Sequence, residues 1–172
     1  MKRVVVLAVH GAPAADFPRK EAAELFDLRA KLRQASGEGR AALAQRHDAL
    51  DAKMRGWPRT EENDPFFYGS ISLAAHLQKE MKCDVIVGFN EFCAPSVDEA
   101  LDQAAERNPE QVVVLTPMMT PGGAHSKSDI PAAIEQAQAR HPRISFSYAW
   151  PFEASEIAKF LAAQVQRFVS KG

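Results

Sequence analysis

The chain has 172 residues, 46% of them apolar, with a formal net charge of −1 and acidic and basic residues mixed along its length. That length suits one domain with a sizeable core, and the charge balance lacks the basic footprint that nucleic-acid binding requires. No apolar run approaches the ~20 residues of a membrane span. The short apolar start runs into His10 and Gly11 rather than a small-residue cleavage site, so the cytoplasm is the expected compartment. Cys83 and Cys93 form no C-x-x-C pair and have no partner at zinc-finger spacing. They read as inert thiols.

The first element is an apolar strand over Arg3–Val9, closed by His10 and Gly11. Segment 13–67 then separates this strand from the next helix by far more than one helix requires. Apolar residues recur at helical spacing over 20–34 (Ala22, Leu25, Leu28, Leu32) and over 40–55 (Leu43, Leu50, Met54). The intervening Ser36 to Gly39 reads as a turn, which predicts an inserted antiparallel helical hairpin. Its densely charged faces suit a solvated surface excursion or, alternatively, a lid or dimer arm. Trp57-Pro58 and the run Pro65 to Gly69, with Phe66, Phe67 and Tyr68, read as an aromatic return. That return either seals the hairpin base or lines a pocket for a flat ligand.

A helix over 71–82, a strand over Asp84–Phe89, a helix over 96–108 and a strand over 111–116 come next. A helix over Ile130–Arg140, a strand over 144–149 and a helix over Ala154–Val169 complete the series. Ser96 followed by Glu99 is a capping box, Pro131 sits where a first helical turn tolerates proline, and Pro109 and Pro142 stop the helices before them. The strands are continuously apolar, which suits strands covered on both faces of a parallel sheet. The alternation predicts an α/β, Rossmann-like single domain over 1–172. Its sheet is open, mainly parallel and four-stranded, in the order 2-1-3-4, with helices on both faces.

In such a sheet, ligands bind outside the carboxyl ends of the strands, where strand order reverses. His10 ends the first strand. His125 follows the third through the glycine turn at Gly122 and Gly123, and Glu91 follows the second. The topology therefore gathers two imidazoles and a carboxylate, a donor set suited to Fe(II), Co(II), Ni(II) or Zn(II) and equally to proton transfer. Lys127, with the backbone amides of 122–124, either belongs to the turn alone or attracts anionic groups. His47, His76 and His141 read as surface or helix-end residues. The sequence holds no P-loop, no G-x-G-x-x-G and no G-x-S-x-G elbow.

These residues resemble a known family. His10-Gly11 after an apolar strand, the stretch Gly88 to Leu101 and the run Gly122 to Pro131 are together similar to the sirohydrochlorin chelatases of the CbiX/SirB type. Ser147 to Phe152 is similar to their last strand and its proline turn. The resemblance implies a chelatase-like fold and a lyase inserting Co(II) or Fe(II) into sirohydrochlorin for cobalamin or siroheme synthesis. The divalent metal is then a substrate and no organic cofactor is expected. It implies that His10 and His125 bind metal and take part in proton removal, with Glu91 at the acidic position. It also implies a homodimer of single-half chains. Ala12 stands where the family commonly has serine or threonine, and Ala94 stands where it has glutamate. These departures bear on the identity of the tetrapyrrole more than on the reaction. A metal or tetrapyrrole carrier with the same fold is the alternative.

Overall fold

The computed structural model describes residues 2–169. Four strands, β1 (Arg3–Val9), β2 (Asp84–Phe89), β3 (Gln111–Leu115) and β4 (Ser145–Tyr148), form one sheet in the order β2-β1-β3-β4. All three pairings are parallel, with Val4 opposite both Asp84 and Val112. This is the strand order expected from the sequence. Every strand therefore delivers its C-terminal end to the same edge. β3 and β4 are each shorter than their apolar runs, a difference within the usual fraying of strand ends.

Central β1 explains the layering. Val4 to Val9 are each at most 1% exposed. Because side chains alternate along a strand, Val4, Val6 and Ala8 pack with Val97, Leu101, Ile130 and Ala137 on one face. Leu7 and Val9 pack on the other with Leu25, Leu28, Leu50, Met54 and Phe89. The first face is covered by α4 (Val97–Glu106) and α5 (Ile130–Arg140), the second by α1 (Arg19–Leu32), α2 (Glu38–Arg55) and α3 (Pro65–Met81). Ser96 caps α4 as anticipated: its side chain accepts from the Glu99 amide, and Glu99 Oε2 accepts from the Ser96 amide.

Two expectations need correction. The pair α1 and α2 is not a surface excursion, because its inward stripe of Leu25, Leu28, Leu50 and Met54 is a layer of the core. Burying each such side chain stabilises the fold by about 1.5–3 kcal/mol. Only the outer faces are solvated, where Arg46 meets Glu24 and Lys53 meets Glu21. Within the aromatic return, the run Pro65 to Gly69 is no loop either. It is the first turn of α3, where Asp64 accepts from the Phe67 amide as an N-cap and Pro65 takes the first helical turn.

The last helix, α6 (Ala154–Val169), contributes no buried residue. Phe160, Leu161, Val165, Phe168 and Val169 are between 52% and 74% exposed along it. No helix among the described residues is long and apolar enough to cross a membrane.

Below the C-terminal edge of the sheet lies an ion pair between Arg59 and Asp64, with side chains 6% and 1% exposed and a separation of 2.6 Å. Arg59 also donates to the carbonyls of Ala12 (2.7 Å), Met54 (2.8 Å) and Phe92 (2.5 Å). One guanidinium thereby ties the loop after β1, the end of α2 and the loop after β2 to the start of α3. Removing one partner of a buried pair strands the other's charge at a cost of about 3–5 kcal/mol. Arg59→Ala is expected to lower the urea-unfolding free energy by that amount, measured against Arg46→Ala, whose exposed pair is worth under about 1 kcal/mol.

Candidate metal centre

The loops at the C-terminal edge are built to meet. After Val9, the Asn90 amide (2.9 Å) and its side-chain amide (2.7 Å) both donate to the Val9 carbonyl. Gly11 lies at φ +137°, and a Cβ placed on it would fall 1.7 Å from the Glu91 carbonyl oxygen. Only glycine lets the two chains approach this closely. The result is that His10 and Glu91, from neighbouring strand ends, sit side by side.

His125 arrives from β3 by a different route. The segment His125–Asp129 is a π-helical turn running directly into α5. The Ile130 amide reaches back five residues to the His125 carbonyl. Pro131, lacking an amide hydrogen, follows in the first turn of α5. Wide turns of this type recur at functional sites. Ser126 anchors it: its side chain is buried, its hydroxyl donates to the Gly123 carbonyl, and its own carbonyl accepts from the Tyr148 hydroxyl at 3.1 Å. Burial pushes the Tyr148 phenol up to about 12, which keeps it a donor.

The structure thus brings His10, Glu91 and His125 together. One donor atom from each lies within 4.8 Å of the others. The imidazole centroids are 4.8 Å apart, with the rings 75° to one another. Asp129 Oδ2 lies 2.6 Å from His125 Nδ1. That bond assigns the proton of a neutral ring to Nδ1 and leaves the lone pair of Nε2 facing the site. Nε2 then confronts Glu91 Oε1 at 3.4 Å. Two acceptors in this position call for a cation or a proton between them. The arrangement can hold a divalent metal on two nitrogens and one oxygen, or accept a proton at an imidazole.

Gly122, Gly123 and Lys127 are exposed on the same loop and turn as His125. The Gly123 carbonyl accepts from the Lys127 amide, and Gly122 takes φ +118° with open space where a Cβ would stand. Of the aromatic residues considered for a flat ligand, two are committed elsewhere. Trp57 packs edge-on against Phe17 and donates to Asp16, and Phe67 stacks on Phe89 at 5.1 Å. Phe66 is 43% exposed and lines, with Val9, Leu73 and Pro117, an apolar cavity of about 350 Å³. Met118 packs against the core and its carbonyl accepts from Trp150. Cys93 is buried, which pushes its thiol pKa up, and no disulfide joins it to Cys83. His141 binds Asp102, His47 lies beside Asp48 and His76 is exposed, and none of the three belongs to the cluster of His10, Glu91 and His125.

Residues 55–168 match the family model described as CbiX. The chain belongs to the CbiX family. A "sirohydrochlorin cobaltochelatase" of Priestia megaterium is 40% identical over 75 residues, covering 41% of this chain and 24% of that protein. A protein of the same name from Methanopyrus kandleri is 47% identical over 47 residues, covering 27% of this chain and 32% of that one. The matched part is therefore at most about a third of these relatives' lengths. A crystal structure described as a candidate cobalamin (vitamin B12) biosynthesis CbiX protein from Marinobacter aquaeolei VT8 shares the fold, with a TM-score of 0.54, 16% identity and 99% coverage of both chains.

Two residues at the centre escaped the sequence reading. Asp129, outside the donor set drawn from the sequence, stands four residues after His125, and that spacing is a usable signal. Arg29, which donates to Glu91 Oε2 at 2.8 Å, carries no signal at all within a charged helix. Carboxylates that orient a liganding histidine are typically worth about 10–100-fold in metal affinity. Asp129→Asn is expected to weaken Co(II) binding by that factor in a visible-absorption titration. The unfolding midpoint should stay unchanged, since the Asp129 side chain is 54% exposed.

Proposed function

We propose that this protein is a tetrapyrrole metal chelatase that inserts Co(II) or Fe(II) into sirohydrochlorin or a close relative. The observation that carries the reading is the convergence of His10, Glu91 and His125 donor atoms within 4.8 Å at the one sheet edge where such folds bind ligands. Similarity to proteins named sirohydrochlorin cobaltochelatase supports the choice of substrate. In this reading the single chelatase-like domain spans 1–172, with 13–67 inserted in it.

The substrate metal binds first, on the Nε2 of His125, on His10 and on one oxygen of Glu91. The macrocycle then docks across the strand ends. Two pyrrole N–H protons leave as two metal–nitrogen bonds form, so a dication enters as two protons depart. As the metal passes to the ring nitrogens, the imidazole nitrogens of His10 and His125 that held it are freed, and each accepts one of the two protons. His10 is the exposed member of the pair and has the freer path to pass its proton to water. Fixing metal and proton acceptor on one side of the ring supplies orientation, which is worth much of a chelation barrier. Lys127 and the amides at Gly122 and Gly123 lie at the rim, where the carboxylates of the substrate need cationic or N–H partners. Phe66 and Pro117 offer an apolar wall to the ring edge.

Insertion is followed optically with Co(II) and sirohydrochlorin. His10→Ala and His125→Ala are each expected to lower the rate at least ~100-fold. Normal turnover in both variants would sink the proposal. Stoichiometric Co(II) binding with no acceleration of insertion would instead mark a carrier.

The homodimer implied by the family resemblance has support in α6, whose five large apolar side chains lie open to solvent. Faces of this kind mark protein interfaces. Sedimentation is expected to give a dimer, and Phe160→Asp with Phe168→Asp is expected to give a monomer. A wild-type monomer at tens of micromolar would remove the dimer from the proposal.

A further inference from the structure

The helical hairpin reaches the metal centre. From α1, Arg29 Nη1 donates to Glu91 Oε2 at 2.8 Å, its Nη2 lies 3.5 Å from Asp51 on α2, and its guanidinium carbon lies 5.0 Å from the centre of the Phe92 ring. Arg55, one turn after Asp51 on α2, bonds Asp51 at 2.7 Å and the carbonyls of Cys93 (2.8 Å) and Asn90 (3.3 Å). Every residue of the loop from Asn90 to Cys93 is thus gripped by a hairpin arginine or by Arg59. Of Glu91, one oxygen faces His125 and the other is occupied by Arg29.

We infer that Arg29 is a positioning residue that keeps the metal labile, an inference that rests on the metal site proposed above. Two consequences follow from its geometry. With Oε2 engaged, Glu91 offers a metal only Oε1, so it binds through one oxygen and not two. With a guanidinium against it, the carboxylate presents little net charge to a dication, and Arg29 itself repels that ion. A storage site gains from full ligand charge. A site that must surrender its metal to another ligand gains from this partial neutralisation. Asp129 acts in the opposite sense on His125: it holds the ring with its Nε2 lone pair turned to the metal. The centre therefore pairs one strengthened nitrogen ligand with one weakened oxygen ligand, and the weakened one is set by the hairpin.

The test uses the full chain with Co(II) alone as probe. Affinity is read by visible absorption and release by competition with a chelator. Arg29→Gln is expected to tighten Co(II) binding and to slow its release by on the order of ten-fold. Arg29→Lys, which keeps the charge, is expected to stay within about three-fold of wild type. A purely structural role for Arg29 would do the reverse, because a disordered Glu91 loop binds metal more weakly. Weaker or unchanged binding in Arg29→Gln would overturn the inference. So would equal tightening in both variants, since the charge would then be irrelevant. Should Arg29→Gln melt early, Asp51→Asn provides a second arm: it removes the hairpin anchor of Arg29, leaves its charge free to sit wholly on Glu91, and is expected to loosen Co(II). Tightening there would count against the inference. Failure of wild type to bind Co(II) through His10 and His125 would sink the functional proposal itself, a distinct result.

Discussion

The architecture of the centre depends on a charge taken out of water. Arg59 and Asp64 lie almost wholly buried beneath the C-terminal edge of the sheet, where an isolated ion would be costly. Arg59 therefore spends its remaining hydrogen bonds on backbone, and Asp64 accepts from the Phe67 amide and the Cys93 thiol. Asp64 starts α3, while Arg59 fixes Ala12 in the loop that carries His10 and Phe92 in the loop that carries Glu91. A buried pair is weak evidence for stability when compared with an apolar replacement. Its strength here is in specifying where three segments meet, which a greasy contact does not do. The Nε of Arg59 finds no partner among the described residues, so that specification carries a residual cost.

Above this tie, two kinds of constraint place the imidazoles. His10 directly follows a strand buried on both faces, and its neighbourhood is closed by the absence of a side chain on Gly11. His125 stands on a widened helical turn pinned through Ser126 and Tyr148. The carboxylate beside them answers to the helical hairpin through Arg29. Sheet, turn and hairpin each govern one ligand.

Much of this was legible in the chain. The unbroken apolar run of β1 announced a strand with no wet face, and right-handed crossovers left few strand orders to consider, so the meeting of His10 with His125 followed from topology. Capping at Ser96 was readable because its signal is local. The misread parts are those where meaning is long-range. Pro65 to Gly69 looked like a return because prolines, glycine and aromatics mark turns, yet Asp64 immediately before it is an N-cap. Charges on α1 and α2 looked like solvated faces because most are. Nothing in spacing separates Arg29, Arg55 and Arg59, which grip the strand-end loops, from Arg46, which holds only Glu24 in solvent.

The unequal mounting of the two histidines has a consequence for selectivity. One is a fixed post on the most deeply packed strand of the fold. The other is carried by a local distortion, a widened five-residue turn pinned through Ser126 and Tyr148. The span between the two imidazoles is therefore set by two separate elements, and a change in either alters the bite offered to an ion. Discrimination among first-row dications at such a centre also draws on ligand chemistry and on which ion is supplied.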